Sequence, residues 1–237
     1  MTRYESRDGR LRLFRGDSRR LHPIPTASVG VILTSPPYWV SGHGRSAADR
    51  YARELAVTFG REWKRVLAPD GDLWLVIGDR HDGDEWVGMD ALVSGWLRRT
   101  GWRLQSKGVW AQTGSRERWD NRVNHLLRFR KAGRVARPRG TTLCWMLPLP
   151  RAHPDSIWDA IPELVVEGLL EAGKKRGPVL DPFAGAGTVG RVAARLGREW
   201  IGIERDPHMA QVTARRLRLK RVTASRIARP AGPRAAP

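Results

Sequence analysis

The sequence predicts a doubly wound α/β fold, a mostly parallel sheet with helices on both faces. Three observations predict it. Short aliphatic runs such as Val29-Gly-Val-Ile-Leu-Thr34 and Asp72-Leu-Trp-Leu-Val-Ile-Gly78 lack the polar alternation of a half-solvated strand, as strands covered on both faces do. Between such runs lie stretches whose apolar residues recur at helical spacing, and strands alternating with helices imply parallel pairing. The chain has 237 residues, enough for one α/β domain with a substantial core and too few for a second full domain.

The elements follow in order. Met1 to Arg20 alternates charged and apolar residues. Val29–Thr34 reads as a buried parallel strand that stops at the rigid Ser35-Pro36-Pro37, with Tyr38 and Trp39 projecting from the loop. Trp39 to Asp49, rich in Gly and Ser and carrying His43 and Arg45, reads as a mobile connection. Tyr51 to Leu67 has helical periodicity, Pro69-Asp70-Gly71 is a turn, and 72–78 is a strand. A helix from Trp86 to Arg99 closed by Gly101 and a strand from Trp102 to Trp110 repeat the pattern. Gln112 to Val123 is a basic surface loop, His125 to Arg130 alternates, and Lys131 to Gly140 is a loop. Pro162 to Ala172 is a helix with proline in its first turn. Strand 178–180 leads through Asp181-Pro-Phe-Ala-Gly-Ala-Gly-Thr188 into a helix from Val189 to Leu196. Trp200–Ile203 is a strand ending at Glu204, and Pro207 to Leu219 is a helix. Residues 1–219 thus form one domain, and Lys220 to Pro237, with Arg, Pro and Ala but no acid, reads as a disordered basic tail.

A formal net charge of +19 and a pI near 11.5 point to a polyanionic partner, nucleic acid first, although an Arg-rich composition alone has the same effect. Cys144 is the single cysteine, so neither an intramolecular disulfide nor a Cys-based zinc site is available. No histidine has a second His or a carboxylate at metal-ligand spacing, and no metal is expected. No apolar run reaches bilayer length, and a cytoplasmic protein is expected.

Two motifs carry chemistry. A glycine turn between strand and helix lets backbone approach a ligand, and an acid ending the next strand can grip a ribose diol. Asp181 to Thr188 followed by Ile201-Gly-Ile-Glu204 fits that arrangement. Many nucleotide-binding folds share a Gly-x-Gly turn, but a carboxylate at its start, Asp181, suits a cationic ligand such as the amino group of a methionine moiety. In the second motif, Thr34-Ser35-Pro36-Pro37-Tyr38-Trp39, proline offers carbonyls without N–H donors. Ser35 and the Pro36 carbonyl can accept hydrogen bonds from an exocyclic amine and expose its lone pair, while Tyr38, with Trp39, can stack an extruded base. Taken alone, Ser-Pro-Pro is equally a common rigid loop.

Together the motifs resemble the amino-methyltransferases of restriction-modification systems and phages. Because the pocket motif precedes the cofactor loop, the order resembles the circularly permuted β group. The resemblance runs from Leu13 to Arg216 and implies a Rossmann-like S-adenosylmethionine-dependent methyltransferase fold. It also implies double-stranded DNA as partner and transfer of a methyl group to the amino nitrogen of a flipped base. It assigns Ser35, Pro36, Pro37 and Tyr38 to the target pocket, and Asp181, Phe183, Gly185, Gly187, Thr188 and Glu204 to the cofactor. Asp17, in Gly16-Asp17-Ser18, resembles the residue that touches the cofactor adenine. His153-Pro154 and Ile161-Pro162-Glu163 resemble the segment that helps hold the methionine carboxylate. Serine in the pocket motif is common in cytosine-N4 members and aspartate in adenine-N6 members, so cytosine-N4 is favoured. Adenine-N6 or RNA methylation is the runner-up, and a non-catalytic basic DNA-binding protein on the same fold is the rival.

One departure from the family is size. A target-recognition insertion normally precedes the cofactor unit, but only Lys131 to Pro150 occupy that place. A short recognition segment at about 110–150 is therefore expected, with Arg116, Arg118, Trp119 and Arg122 as its contacts and Trp39 and Arg45 as further nucleic-acid residues. An ordinary solvated basic loop fits that segment as well. The sequence leaves the oligomeric state open, a homodimer included.

Overall fold

A computed structural model describes residues 2–37, 44–82, 84–113, 123–131, 144–148, 161–173 and 177–222. In chain order the elements begin with β1 (Thr2–Glu5), β2 (Leu11–Arg15), β3 (Val29–Thr34), α1 (Gly44–Glu54), a π-helical turn (Leu55–Phe59), α2 (Gly60–Val66) and β4 (Leu67–Gly78). The hairpin β5 (Arg80–Asp82) and β6 (Glu85–Val87) follows, then α3 (Met89–Arg99), β7 (Trp102–Thr113), β8 (Val123–Lys131) and β9 (Cys144–Pro148). The chain continues as α4 (Glu163–Ala172), β10 (Val179–Asp181), α5 (Thr188–Arg195), β11 (Trp200–Glu204), α6 (Pro207–Arg216) and β12 (Lys220–Arg221).

All strands but β5 and β6 form one sheet in the order β12-β1-β2-β11-β10-β3-β4-β8-β7-β9. Its centre, β2-β11-β10-β3-β4, is wholly parallel. The flanks are antiparallel except for the β7–β9 pair. Successive side chains of a strand point to opposite faces. Ile32 of β3 and Leu73, Leu75 and Ile77 of β4 therefore enter one core with α1 to α3, including Ala48, Trp63 and Leu97. Val31, Leu33, Trp74 and Val76 enter the other with α4 to α6, including Val165, Val192 and Ala210. Burial on both faces explains why every residue of β3 is buried and why its sequence lacks alternation.

Several boundaries differ from expectation. Residues 44–49 are the first turns of α1 instead of a mobile connection. Ala48 and Ala52 bury one face, and Asp49 Oδ1 accepts a bond from Trp96 Nε1 of α3 at 2.7 Å. Pro69-Asp70-Gly71 lies within β4, where the register jumps from Val29–Leu67 to Val31–Asp72, so the turn is absorbed as an irregularity. Trp86 belongs to the β5–β6 hairpin, and α3 starts only at Met89, whose N–H is capped by Asp79 Oδ1 at 2.9 Å. The expected recognition segment is partly sheet, since β7 runs to Thr113 and β8 and β9 fall inside it. The expected tail begins as structure too, with Lys220 and Arg221 pairing Glu5 and Tyr4. The helix before it ends at Arg216 because Arg218 turns left-handed at φ 53°.

At the amino end of the sheet Asp72, fully buried, accepts Arg128 Nε at 3.0 Å and Nη2 at 2.7 Å, and Arg130 Nε at 2.6 Å. Two guanidinium forks from β8 thus neutralise one carboxylate of β4. Asp72→Ala leaves both cations without their acceptor and should destabilise the fold by about 3 kcal/mol. In urea unfolding the midpoint should fall with the slope unchanged. A wild-type midpoint would show that the cluster contributes nothing net.

Candidate active site

In a parallel sheet the carboxyl ends of the strands share one rim, and ligands bind in the crevice outside it. Here that rim carries Gly16 and Asp17 after β2, Glu204 ending β11, Asp181 ending β10, Ser35 after β3 and Asp79 after β4.

The glycine turn is held from both sides. Glu204 Oε2 accepts Gly185 N–H at 2.8 Å and Oε1 accepts Asp206 N–H at 2.7 Å, while the Ala184 N–H donates to Ile203 O at 2.9 Å. Gly185 and Gly187 have φ of 49° and 78°, a region open to glycine at little cost. A Cβ on Gly187 would also lie 2.7 Å from Thr213 Cγ2, so α6 leaves no space for a side chain there. Thr188 is the first residue of α5, whose N-terminal N–H groups face the same rim. The Phe183 ring packs edge-on against Phe59 at 5.1 Å and Trp63 at 6.3 Å. It anchors the turn to the core.

Asp181 is buried, and its Oδ1 accepts Thr34 Oγ1–H at 2.7 Å and Phe183 N–H at 3.2 Å. Burial pushes its carboxyl up to about 7, against the pull of the Thr34 and Phe183 bonds and with a further push from Glu204. Among the described residues no cation pairs with it.

Thr34 ends β3, so its bond to Asp181 sets Ser35 and the prolines directly beside the glycine turn. Ser35 is half-buried, Pro36 buried and Pro37 exposed, and the Pro37 carbonyl accepts the Tyr51 hydroxyl. Tyr38 and Trp39 lie outside the described residues, as do Arg116, Arg118, Trp119, Arg122 and His153-Pro154. The strands flanking the 114–122 segment, β7 and β8, do end on this rim, since Asn124 pairs with Gly78 and Trp110.

Other expected residues are engaged elsewhere. Asp17 accepts the Arg19 N–H at 2.9 Å and its guanidinium at 3.0 Å, and Arg19 also reaches Glu54 at 2.6 Å and stacks over Phe59. The Gly16 N–H donates to Glu204 O at 2.9 Å, which keeps Asp17 near the end of β11 on the same rim. Arg45 is ion-paired to Glu85 at 2.9 Å, and Glu163 is bound by Arg191 and Arg195 of α5.

One cluster has no counterpart in the sequence spacing. Asp79 Oδ2 lies 2.8 Å from His125 Nε2, with Asp90 Oδ1 3.9 Å beyond. Burial opposes ionisation of Asp79, but His125 and the Asp90 and Met89 N–H groups outweigh it, and its carboxyl stays below the usual range. Lys107 pairs with Asp90, so a protein cation already occupies this acidic corner.

Comparison with known proteins accords with this geometry. A family model described as DNA methylase, of the N6/N4 type, matches residues 151–215. The type II methyltransferase M.XycI of Xanthomonas campestris pv. cyanopsidis is 28% identical, over 91% of this chain and 90% of its own. M.Cfr9I of Citrobacter freundii is 27% identical with the same coverage. A putative DNA modification methylase from Thermus thermophilus, solved in complex with S-adenosyl-L-methionine, superposes with a TM-score of 0.71 at 29% identity, covering 86% of this chain and 92% of that one. The cytosine-N4-specific PvuII DNA methyltransferase shares the fold, with a TM-score of 0.72 at 19% identity over 86% of this chain and 85% of that one. Over most of its length the chain is thus similar to amino-methyltransferases that act on DNA.

The raised Asp181 carboxyl fixes a pH dependence. Between about pH 4 and pH 7 the ligand-free folded chain keeps a proton that the unfolded chain has released. Stability should therefore decline as pH rises through that window, with the full burden of a buried anion present above 7. Asp181→Asn keeps an acceptor for Thr34 and removes the titration. Its melting temperature relative to wild type should rise with pH across the window, and parallel pH profiles for the two proteins would contradict the burial argument.

Proposed function

We propose that the protein transfers the methyl group of S-adenosylmethionine to an exocyclic amino nitrogen of duplex DNA, cytosine-N4 in preference to adenine-N6. The observation that carries this reading is the Thr34–Asp181 hydrogen bond, which joins the amine-accepting motif to a turn suited to a cationic ligand.

The residues present fit that cofactor. Asp181 is a buried carboxylate whose ionisation a neighbouring ammonium would restore, so the cation and the site each lower the other's cost. Each Glu204 oxygen accepts one backbone N–H and has a second lone pair for a ribose hydroxyl. At Gly185 and Gly187 the turn presents backbone without a side chain. By the family pattern Asp17, on the strand end next to that of Glu204, would meet the adenine end, with Arg19 on its carboxylate.

S-adenosylmethionine supplies an electrophilic sulfonium methyl group. The Ser35 oxygen and the Pro36 carbonyl accept the two N–H bonds of the target amine, which favours a pyramidal nitrogen and frees its lone pair for attack. The same oxygens keep accepting from the methylated, positively charged nitrogen until it loses its surplus proton to solvent, and no base of unusual strength is needed. Pro36 and Pro37 contribute no N–H to compete for these acceptors. Tyr38 and Trp39 supply a stacking surface for the extruded base. Serine at position 35 supports cytosine by the family pattern. Readout falls to the segment between β7 and β8, with Arg116, Arg118, Trp119 and Arg122, while the bond between Arg45 and Glu85 makes Arg45 a weaker contributor.

Asp181→Ala should weaken S-adenosylmethionine binding at least tenfold, about 1.4 kcal/mol. Glu204→Ala should cost more, because it also releases the Gly185 N–H. Unchanged affinity in calorimetry would place the cofactor elsewhere. Ser35→Ala should lower the single-turnover methylation rate more than DNA affinity, since its oxygen acts as charge develops. Digestion of methylated duplex to nucleosides should yield N4-methylcytosine. N6-methyladenine there would keep the chemistry and overturn the inference from Ser35.

A further inference from the structure

Consecutive prolines leave the pocket loop without backbone donors, so 36–37 cannot secure itself by its own hydrogen bonds. Its carbonyls need donors from elsewhere. For Pro37 the donor is the Tyr51 hydroxyl on α1. The Tyr51 ring packs against the core that contains Ala48, Ala52 and Leu55, so the helix fixes the position of its hydroxyl. The helix is itself held at its flanks. Asp49 accepts Trp96 Nε1 of α3, Arg45 pairs with Glu85 of β6, and Glu54 pairs with Arg19 from the loop after β2.

We propose that Tyr51 is a positioning residue for methyl transfer: by taking the Pro37 carbonyl it sets the loop so that Ser35 and the Pro36 carbonyl face the target amine. The inference rests on the proposed function. Its energetic weight comes from alignment, because an ångström of misplacement at a reacting group costs on the order of a hundredfold in rate. Neither Thr34 nor Asp181 supplies this constraint. They fix the start of the loop, and Tyr51 fixes its third residue, so the two acceptors lie between two anchored points.

The test is Tyr51→Phe in the full chain, which removes one oxygen and keeps the packing ring. Single-turnover transfer to duplex DNA at saturating S-adenosylmethionine should fall at least tenfold, with KM for DNA, cofactor affinity and melting temperature close to wild type. In a Ser35→Ala background the same change should cost less than threefold, because both residues serve the same amine. A Tyr51→Phe enzyme with the wild-type rate overturns the inference, as does a loss of rate matched by equal losses of cofactor affinity and thermal stability. A wild-type chain that methylates no DNA amine overturns the proposed function itself. Wild-type methylation with an unaffected Tyr51→Phe leaves that function standing and removes only Tyr51 from it.

Discussion

The hydrogen bond from Thr34 to Asp181 is the constraint on which the rest of the site depends. Its partners are separated by 147 positions in the chain but end adjacent parallel strands, β3 and β10. Both are buried, and a buried carboxylate without a donor would be costly, so the threonine hydroxyl is needed where β3 leaves the sheet. One residue later the chain reaches Ser35, and four residues beyond Asp181 it reaches Gly185, the first glycine of the turn. The separation between the two motifs is therefore set by neighbouring strands, about 5 Å apart in any sheet.

A second consequence concerns electrostatics. The chain carries a large excess of positive charge, yet the carboxylate at the centre of its crevice has no cation beside it among the described residues. Positive charge is instead directed to structural carboxylates, as with Arg128 and Arg130 on Asp72 or Arg191 and Arg195 on Glu163. A carboxylate reserved for a cationic ligand, as proposed for Asp181, must be kept clear of protein cations, and among the described residues it is.

The central sheet and the rim were legible in the sequence because strands buried on both faces leave continuous aliphatic runs, and strand-to-helix turns leave glycine and proline. Val29–Thr34, Asp181–Thr188 and Glu204 all stand where that reasoning put them. The sheet edges were harder to read. In β2, Leu11-Arg-Leu-Phe-Arg15 alternates only over its first three residues, and its partner β11 is nearly two hundred residues away, a range at which pairing has no local signal. The Asp79–His125–Asp90 cluster was invisible for the same reason, since β4, β8 and α3 bring together side chains with no common spacing. Roles were also less legible than positions. Phe183 and Arg45 stand near the expected places, but an aromatic cluster in one case and Glu85 in the other already engage them. Tyr51 read as an ordinary helical residue because nothing in a helix pattern reveals what a phenol tip will reach.

The strand order also bears on how the chain is made. β3 lies between β4, which follows it closely, and β10, which begins at Val179. At synthesis rates of about 5–20 residues per second, roughly 7–30 s pass before that second partner leaves the ribosome. For that interval an uncharged, largely aliphatic strand has one bare edge, the condition in which chains aggregate. Just beyond the strand, after Ser35, Pro36 and Pro37 offer no N–H to an intruding neighbour. On the proposed reading, the two rings that keep N–H donors out of the target pocket also deny two donors to an intruding strand, so a substitution there should bear on yield from the ribosome as well as on turnover.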